Sequence, residues 1–171
     1  MSTDGAPEID TIDAAGLRVT IVAGLWHEVI AEGLLAGAQR YLAAAGADVT
    51  VVRVSGSFEL PVVSRAALDS GADAVVALGV IIRGGTPHFE YVADAATSGL
   101  TQVTVVTGKP IGFGVLTVDN EQQGLDRAGL DGSKEDKGAE AAEAAVSTAI
   151  AIRSIMITEA TRAAAAMAGS H

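Results

Sequence analysis

Ala77-Leu78-Gly79-Val80-Ile81-Ile82-Arg83-Gly84-Gly85-Thr86-Pro87-His88-Phe89-Glu90-Tyr91 reads as a buried strand, a glycine turn and the opening of a helix. Thr86 suits the N-cap, and Pro87 suits the first helical position, where its missing N–H costs nothing. Gly84 and Gly85 are expected to turn the backbone tightly and leave N–H groups bare at the positive end of the helix dipole. That is a site for a phosphate. His88 follows in the first helical turn, so an anion cradle stands beside an imidazole, which points to chemistry on a phosphorylated small molecule. Plainer readings remain for each part, since glycine turns are common in α/β proteins and a helix-start His is commonly structural. The pattern is neither a dinucleotide fingerprint, lacking Gly-x-Gly-x-x-Gly, nor a Walker loop, lacking Gly-Lys-Ser/Thr.

Outward from this stretch, strands and helices alternate. Arg18 to Gly24 predicts a first strand. Ile30, Leu34, Ala38, Leu42 and Ala45 predict an amphipathic helix that stops at Gly46. Val49 to Val54 is nearly continuous in β-branched residues, as in a strand buried on both faces. Ser55 to Pro61 turns into a second helix. Asp73 to Ile82 is the third strand, and Pro87 to about Gly99 the third helix. Thr101 to Val106 predicts a fourth strand, Lys109 to Gly114 a loop, and Val115 to Val118 a short extended segment. Asp119 to Ala128 is expected to be helical, with Asp119 and Gln122 in capping-box spacing. Asp131 to Asp136 reads as a charged linker, Lys137 to about Met156 as a long Ala-rich helix, and Thr158 to His171 as a fraying tail. Such alternation implies a mainly parallel sheet of four strands between two helical layers, with ligands at the carboxyl ends of the strands. Trp26, Phe58, Phe89 and Phe113 are all expected there. Aromatics can simply cap a core edge, but several together favour a flat, stackable ligand.

Composition narrows the function. The 171 residues fit one domain, taken as 16–157, between an acidic segment (1–15) and an Ala-rich tail (158–171). At 49% hydrophobic the chain can bury a substantial core. No run of about 18 apolar residues is free of charges or breakers, so no membrane span is expected. The acidic, polar start is unlike a signal peptide, and a cytoplasmic location is expected. There is no Cys and there are three His, which leaves little with which to build a metal centre. A net charge of −10 argues against nucleic acid and anionic membranes as partners. An anionic substrate would therefore be met by local groups, because exposed charges beyond about 8 Å are screened at physiological salt.

Gly56-Ser57-Phe58-Glu59-Leu60-Pro61, Gly84 to Phe89, Gly114-Val115-Leu116-Thr117, Arg127-Ala128-Gly129 and Lys137-Gly138 together resemble the lumazine synthase signature, in order, from about Leu17 to Ile155. The resemblance implies a flavodoxin-like three-layer α/β/α sandwich. It also implies a condensation of 5-amino-6-(D-ribitylamino)uracil with 3,4-dihydroxy-2-butanone 4-phosphate, giving 6,7-dimethyl-8-ribityllumazine, phosphate and water with no metal or organic cofactor.

Carried over position by position, the resemblance implies that Trp26 stacks on the pyrimidine. Ser57, Phe58 and Glu59 would hold the ribityl chain, and Val80, Ile81 and Ile82 would offer strand-end backbone groups to the ring. Gly84, Gly85 and Thr86 would bind the phosphate, and His88 would move protons, a task an imidazole suits near neutral pH. Phe113, Arg127 and Lys137 would come from a neighbouring subunit, with Arg127 offering a planar fork to phosphate oxygens. Taken alone, Arg127 also reads as a surface charge in a polar helix. The implied assembly is a homopentamer with shared sites, and riboflavin synthase is a candidate partner. Two departures stand out: Gly85, where relatives often carry a side chain, and a tail beyond Ile155. A flavin-storage protein and a non-catalytic assembly subunit are the alternatives on the same scaffold. His88 with Arg127 favours the enzyme, because neither alternative needs a proton shuttle beside a phosphate site.

Overall fold

The computed structural model describes residues 12–168, so the first eleven residues of the acidic segment and the last three of the tail, Gly169 to His171, lie outside the described residues. Four strands, β1 (Arg18–Gly24), β2 (Asp48–Val54), β3 (Ala74–Ile82) and β4 (Ile111–Val118), form one sheet in the order β2-β1-β3-β4. Every pairing is parallel. The Arg18 N–H donates to Asp73 Oδ2 at 2.8 Å, which ties the start of β1 to the residue before β3.

Alternation along the strands splits the core into two halves. Val19, Ile21 and Ala23 of β1 and Val76, Leu78 and Val80 of β3 pack with α1 (Glu28–Ala45) and the first half of α5 (Lys137–Ala168). Val22, Val75, Ala77 and Ile81 face the other way, toward α2 (Leu60–Asp69) and α3 (His88–Thr107). The result is the three-layer sandwich, and its strand order is that of the flavodoxin-like class. Contact between α1 and α5 depends on Gly138, where a Cβ would collide with the Leu34 backbone carbonyl.

Several expectations need correction. Thr101 to Val106 is not a strand but the last turns of α3, which ends at Gly108 in the left-handed region (φ 63°). The hydroxyls of Thr101, Thr104 and Thr107 donate to the carbonyls of Thr97, Leu100 and Val103, so a β-branched run is accommodated in a helix. The fourth strand instead includes the supposed loop, because Gly112 and Gly114 are where α5 comes closest to the sheet. β2 is an edge strand with much of its length open to solvent, not one buried on both faces. Finally, Lys109 is part of the frame: its Nζ donates to the carbonyls of Leu68 and Ala72 at 2.9 and 2.8 Å, satisfying the end of α2.

The short helix α4 (Glu121–Leu125) is capped by Asn120, whose Oδ1 accepts from the Gln123 N–H, in place of the expected Asp119–Gln122 box. Between α4 and α5 the charged linker is an ordered loop, with an antiparallel bridge between Ala128 and Asp136. α5 does not fray at Thr158 but stays helical to Ala168. By length and composition it could cross a membrane, yet Ala141, Ala142, Ala145, Val146 and Ala149 are buried in the core.

Candidate active site

The sheet order changes direction between β1 and β3, and the chain leaves both strands beside a cavity of about 380 Å³. That is the position at which doubly wound sheets bind ligands, and the volume falls within the usual range for small-molecule sites. Trp26 and His27 enter from the turn after β1, and Ser55 to Glu59 from the turn after β2. Val80, Ile81 and Ile82 come from the end of β3, and Gly84, Thr86, His88, Phe89 and Val92 from the loop and first turns of α3. Trp26 is 67% exposed and Phe58 64%, so two large aromatic faces stand open at the mouth.

The turn after β2 is built for close approach. The Gly56 N–H donates to Glu59 Oε2 at 2.9 Å, which fixes the carboxylate and closes a 3₁₀ turn over Ser57–Glu59. The Trp26 indole lies against Gly56, where an added Cβ would be 3.4 Å from Trp26 Cδ1. Ser57 is buried, and its Oγ has no hydrogen-bond partner among the described residues. The hydroxyl lies against Gly79 of β3, where an added Cβ would crowd it, so the glycine there makes room for Ser57.

At the start of α3 the structure revises the local reading while keeping its sense. The helix opens at His88, Pro87 takes the N-cap position, and Thr86 makes no capping bond. Neither Gly84 nor Gly85 has positive φ, and an added Cβ at either would meet nothing within 4 Å. Backbone strain therefore does not demand glycine here; these residues leave space clear before the helix N-terminus. Gly84 and Thr86 line the cavity, and Gly85 stands exposed just beside it. Arg83, the cation nearest the loop, points away. It donates to Glu90 Oε1 and to Asp119 Oδ1 (2.8 Å) and stacks over the Phe89 ring at 4.2 Å. Asp119 first, then Glu90, raise its affinity for its proton, and the Glu90 carboxyl is held below its ordinary range by its own backbone N–H and by Arg83.

Ten of the residues expected in the site meet in this cavity: Trp26, Ser57, Phe58, Glu59, Val80, Ile81, Ile82, Gly84, Thr86 and His88. Phe113, Arg127 and Lys137 do not line it. Phe113 is on β4 beside Ala77, away from the carboxyl end where it was expected, and 47% exposed. Arg127 Nη1 donates to the Gln123 carbonyl, and its Nε lies 3.9 Å from Glu135. Lys137 pairs with Glu140 at 2.6 Å and Glu135 at 2.9 Å. Burial pushes the Lys137 ammonium toward losing its proton, but the bonds to Glu140 and Glu135 outweigh this and hold its pKa above the ordinary value. Among the described residues no Lys or Arg lines the cavity, and no cluster of three or more His, Cys, Asp or Glu is placed to hold a metal. Sequence reasoning missed His27, Ser55, Gly56 and Val92 as lining residues. His27 and Gly56 each adjoin a residue it did select, at a strand's carboxyl end, and that neighbourhood is the signal that could have found them.

Together these features define a flavodoxin-like α/β protein with a small-molecule cavity at the switch point of its sheet. The family model of 6,7-dimethyl-8-ribityllumazine synthase matches residues 16–153. Proteins of that name from Clavibacter michiganensis subsp. michiganensis and Leifsonia xyli subsp. xyli are 74% and 70% identical over 157 and 156 residues. These alignments span 91% of this chain and 98% and 99% of the relatives. One from Streptomyces avermitilis is 56% identical over 91% of this chain and 97% of its own. The chain belongs to the 6,7-dimethyl-8-ribityllumazine synthase family, and it is an enzyme of riboflavin biosynthesis. Membership also implies substrate binding and assembly with copies of itself.

Proposed function

We propose that the cavity condenses 5-amino-6-(D-ribitylamino)uracil with 3,4-dihydroxy-2-butanone 4-phosphate, each held by the residues named above. The pyrimidine stacks on Trp26 and lies along the backbone of Val80 to Ile82. The ribityl chain runs past Phe58 to the unpaired Ser57 hydroxyl and the fixed Glu59 carboxylate, whose second oxygen accepts from its hydroxyls. The phosphate sits in the space kept clear by Gly84 and Gly85, at the N-terminus of α3 beside Thr86. The ring amine attacks the ketone and water leaves as the Schiff base forms; phosphate is then eliminated, and ring closure expels a second water. His88, exposed in the first turn of α3, takes and returns protons through these steps.

The observation that carries the reading is a deficit. Among the described residues no lysine or arginine stands on the wall of the cavity in which the phosphate is proposed to sit, and Arg83 beside it is already engaged. A helix N-terminus contributes only a partial charge. The missing cation is assigned to Arg127 of an adjacent copy, supported by Lys137, with Phe113 of that copy closing over the ring. Identical head-to-tail contacts between copies close into a ring, which the resemblance makes a pentamer. Its charged segment, Leu130 to Asp136, is longer than the short link that goes with shell-forming assemblies, so a free cytoplasmic pentamer is favoured over a decamer or a sixty-subunit shell.

Purified protein mixed with both substrates is expected to develop lumazine absorbance faster than the uncatalysed mixture. No acceleration would overturn the activity. Light scattering on a sizing column is expected to give a mass of five chains; a megadalton particle would overturn the assembly.

A further inference from the structure

His27 is the one non-glycine residue with positive φ among those described (φ 58°, ψ 61°). The left-handed region is uncommon for any residue but glycine; His enters it more often than most, as Asn does, and Gly occupies it at least cost. His27 is also the N-cap of α1, but its side chain makes no capping bond. What the helix uses is its backbone, through a carbonyl that accepts from the Ala31 N–H at 2.9 Å. The imidazole has one ring contact, tilted at 56° to the Trp26 indole with centroids 6.2 Å apart, and it lines the cavity. The turn is held from both sides: Arg53 Nη2 donates to the Gly24 carbonyl at 3.2 Å, and the indole rests against Gly56. A strained residue persists only where its surroundings over-determine it, and such residues gather at sites where they act on a ligand.

From these observations, and resting on the proposed pyrimidine site, we infer that His27 is a ligand-contacting residue that reads the edge of the ring stacked on Trp26. A uracil-type edge alternates carbonyl acceptors with N–H donors. A neutral imidazole offers one of each, which matches that edge as an aliphatic side chain would not. His27 and Trp26 thus divide the recognition, the indole taking the face of the ring and the imidazole its rim. The phosphate end lies on a different loop and is independent of His27.

The test compares His27→Gly and His27→Asn with the wild-type oligomer. Glycine relieves the strain and removes the imidazole; asparagine tolerates the conformation and keeps one donor and one acceptor. His27→Gly is expected to melt no lower than wild type. Its KM for the ribitylaminouracil, and its calorimetric Kd for that compound alone, should rise by roughly tenfold, the loss of about one hydrogen bond. KM for the butanone phosphate and inhibition by inorganic phosphate should stay within about twofold, since neither contact is touched. His27→Asn should recover most of the pyrimidine affinity. A wild-type pyrimidine Kd in His27→Gly overturns the inference, as does an equal rise in both KM values or a lower melting temperature. An asparagine variant no better than glycine overturns the hydrogen-bonding role. Failure of the wild-type protein to form lumazine would instead defeat the underlying activity, so the two results are separable.

Discussion

The cavity at the end of β1 and β3 and the segment from Asp126 to Glu140 are opposites in how they use polar groups. Around the cavity Ser57 Oγ has no partner, His27 and Thr86 make no capping bonds, and two aromatics face solvent. Along the second segment nearly every charge is matched: Lys134 with Asp126, Lys137 with Glu135 and Glu140, and Arg40 with Asp136. One region is left unsatisfied inside a rigid frame, as a preorganised binding site must be. The other is satisfied internally and holds Arg127 in a defined place without spending it on the cavity of its own chain. The contrast teaches that this chain keeps polar groups open at its own cavity while its Arg127 segment is braced elsewhere, the arrangement that the proposed shared site would use.

His88→Ala tests the first region most severely. Turnover should fall within the ~10²–10⁴ range of general acid–base groups, nearer the low end because the condensation also proceeds uncatalysed. The melting temperature should hold, since the side chain is exposed. Full turnover at saturating substrates would end the proton-transfer role.

Arg127→Ala tests the second region through the first. Its KM for the phosphorylated substrate should rise about tenfold or more, with inorganic phosphate inhibiting less, because a bidentate charged contact is lost. If the site is shared, unfolding and co-refolding His88→Ala with Arg127→Ala should restore about a quarter of the sites, those pairing the intact half of each. No recovery in mixed oligomers would place Arg127 in its own chain's site or nowhere.

A pair of glycines separates space kept for a ligand from space used for packing. Gly138→Ala drives a methyl into the Leu34 carbonyl and should cost roughly 1–3 kcal/mol in denaturant unfolding, the usual price of overpacking. Gly84→Ala meets nothing within 4 Å and should leave stability unchanged while weakening use of the butanone phosphate. Equal destabilisation by both would erase the distinction.

The smallest effect is in acid. Lys134 first, then Gln122, lower the Asp126 carboxyl below its ordinary value of 3.8. The unfolded chain therefore takes up this proton before the folded one does. The stabilisation is complete above pH 3.8 and is lost as pH falls through the lower folded value. Hydrogen exchange in residues 126–136 should quicken in that window before the sheet opens, and Lys134→Ala should shrink the difference, leaving the smaller part due to Gln122.

Most of the frame was legible because β1, β3 and α1 carry their periodicity in the open. The errors share a cause. At Thr101 to Val106 and Ile111 to Gly114, local composition argued for the wrong element in both places. Threonine hydroxyls bonded back along α3, and Gly112 and Gly114 admitted α5, so tertiary contacts outweighed propensity. The same limit hid β2 at the sheet edge. In the site, Trp26, Phe58, Gly84, Thr86 and His88 were readable from their place after strands, while Ser57, Glu59 and Val80 to Ile82 came through the family resemblance. The left-handed turn at His27 and the engagement of Arg83 were not, since neither leaves a mark on residue type.

The last turns of α5 have a mechanical consequence. From Arg153 to Met167 every residue is exposed, while the same helix is anchored in the core by Ala141 to Ala149. The packed half acts as the nucleus that an isolated helix lacks, so the rest extends as a rod of about 22 Å at 1.5 Å per residue. In a closed ring of copies such rods would be repeated spokes of fixed direction. A peptide or reporter joined to the end would then be displayed multivalently at set spacing instead of trailing on a flexible tether.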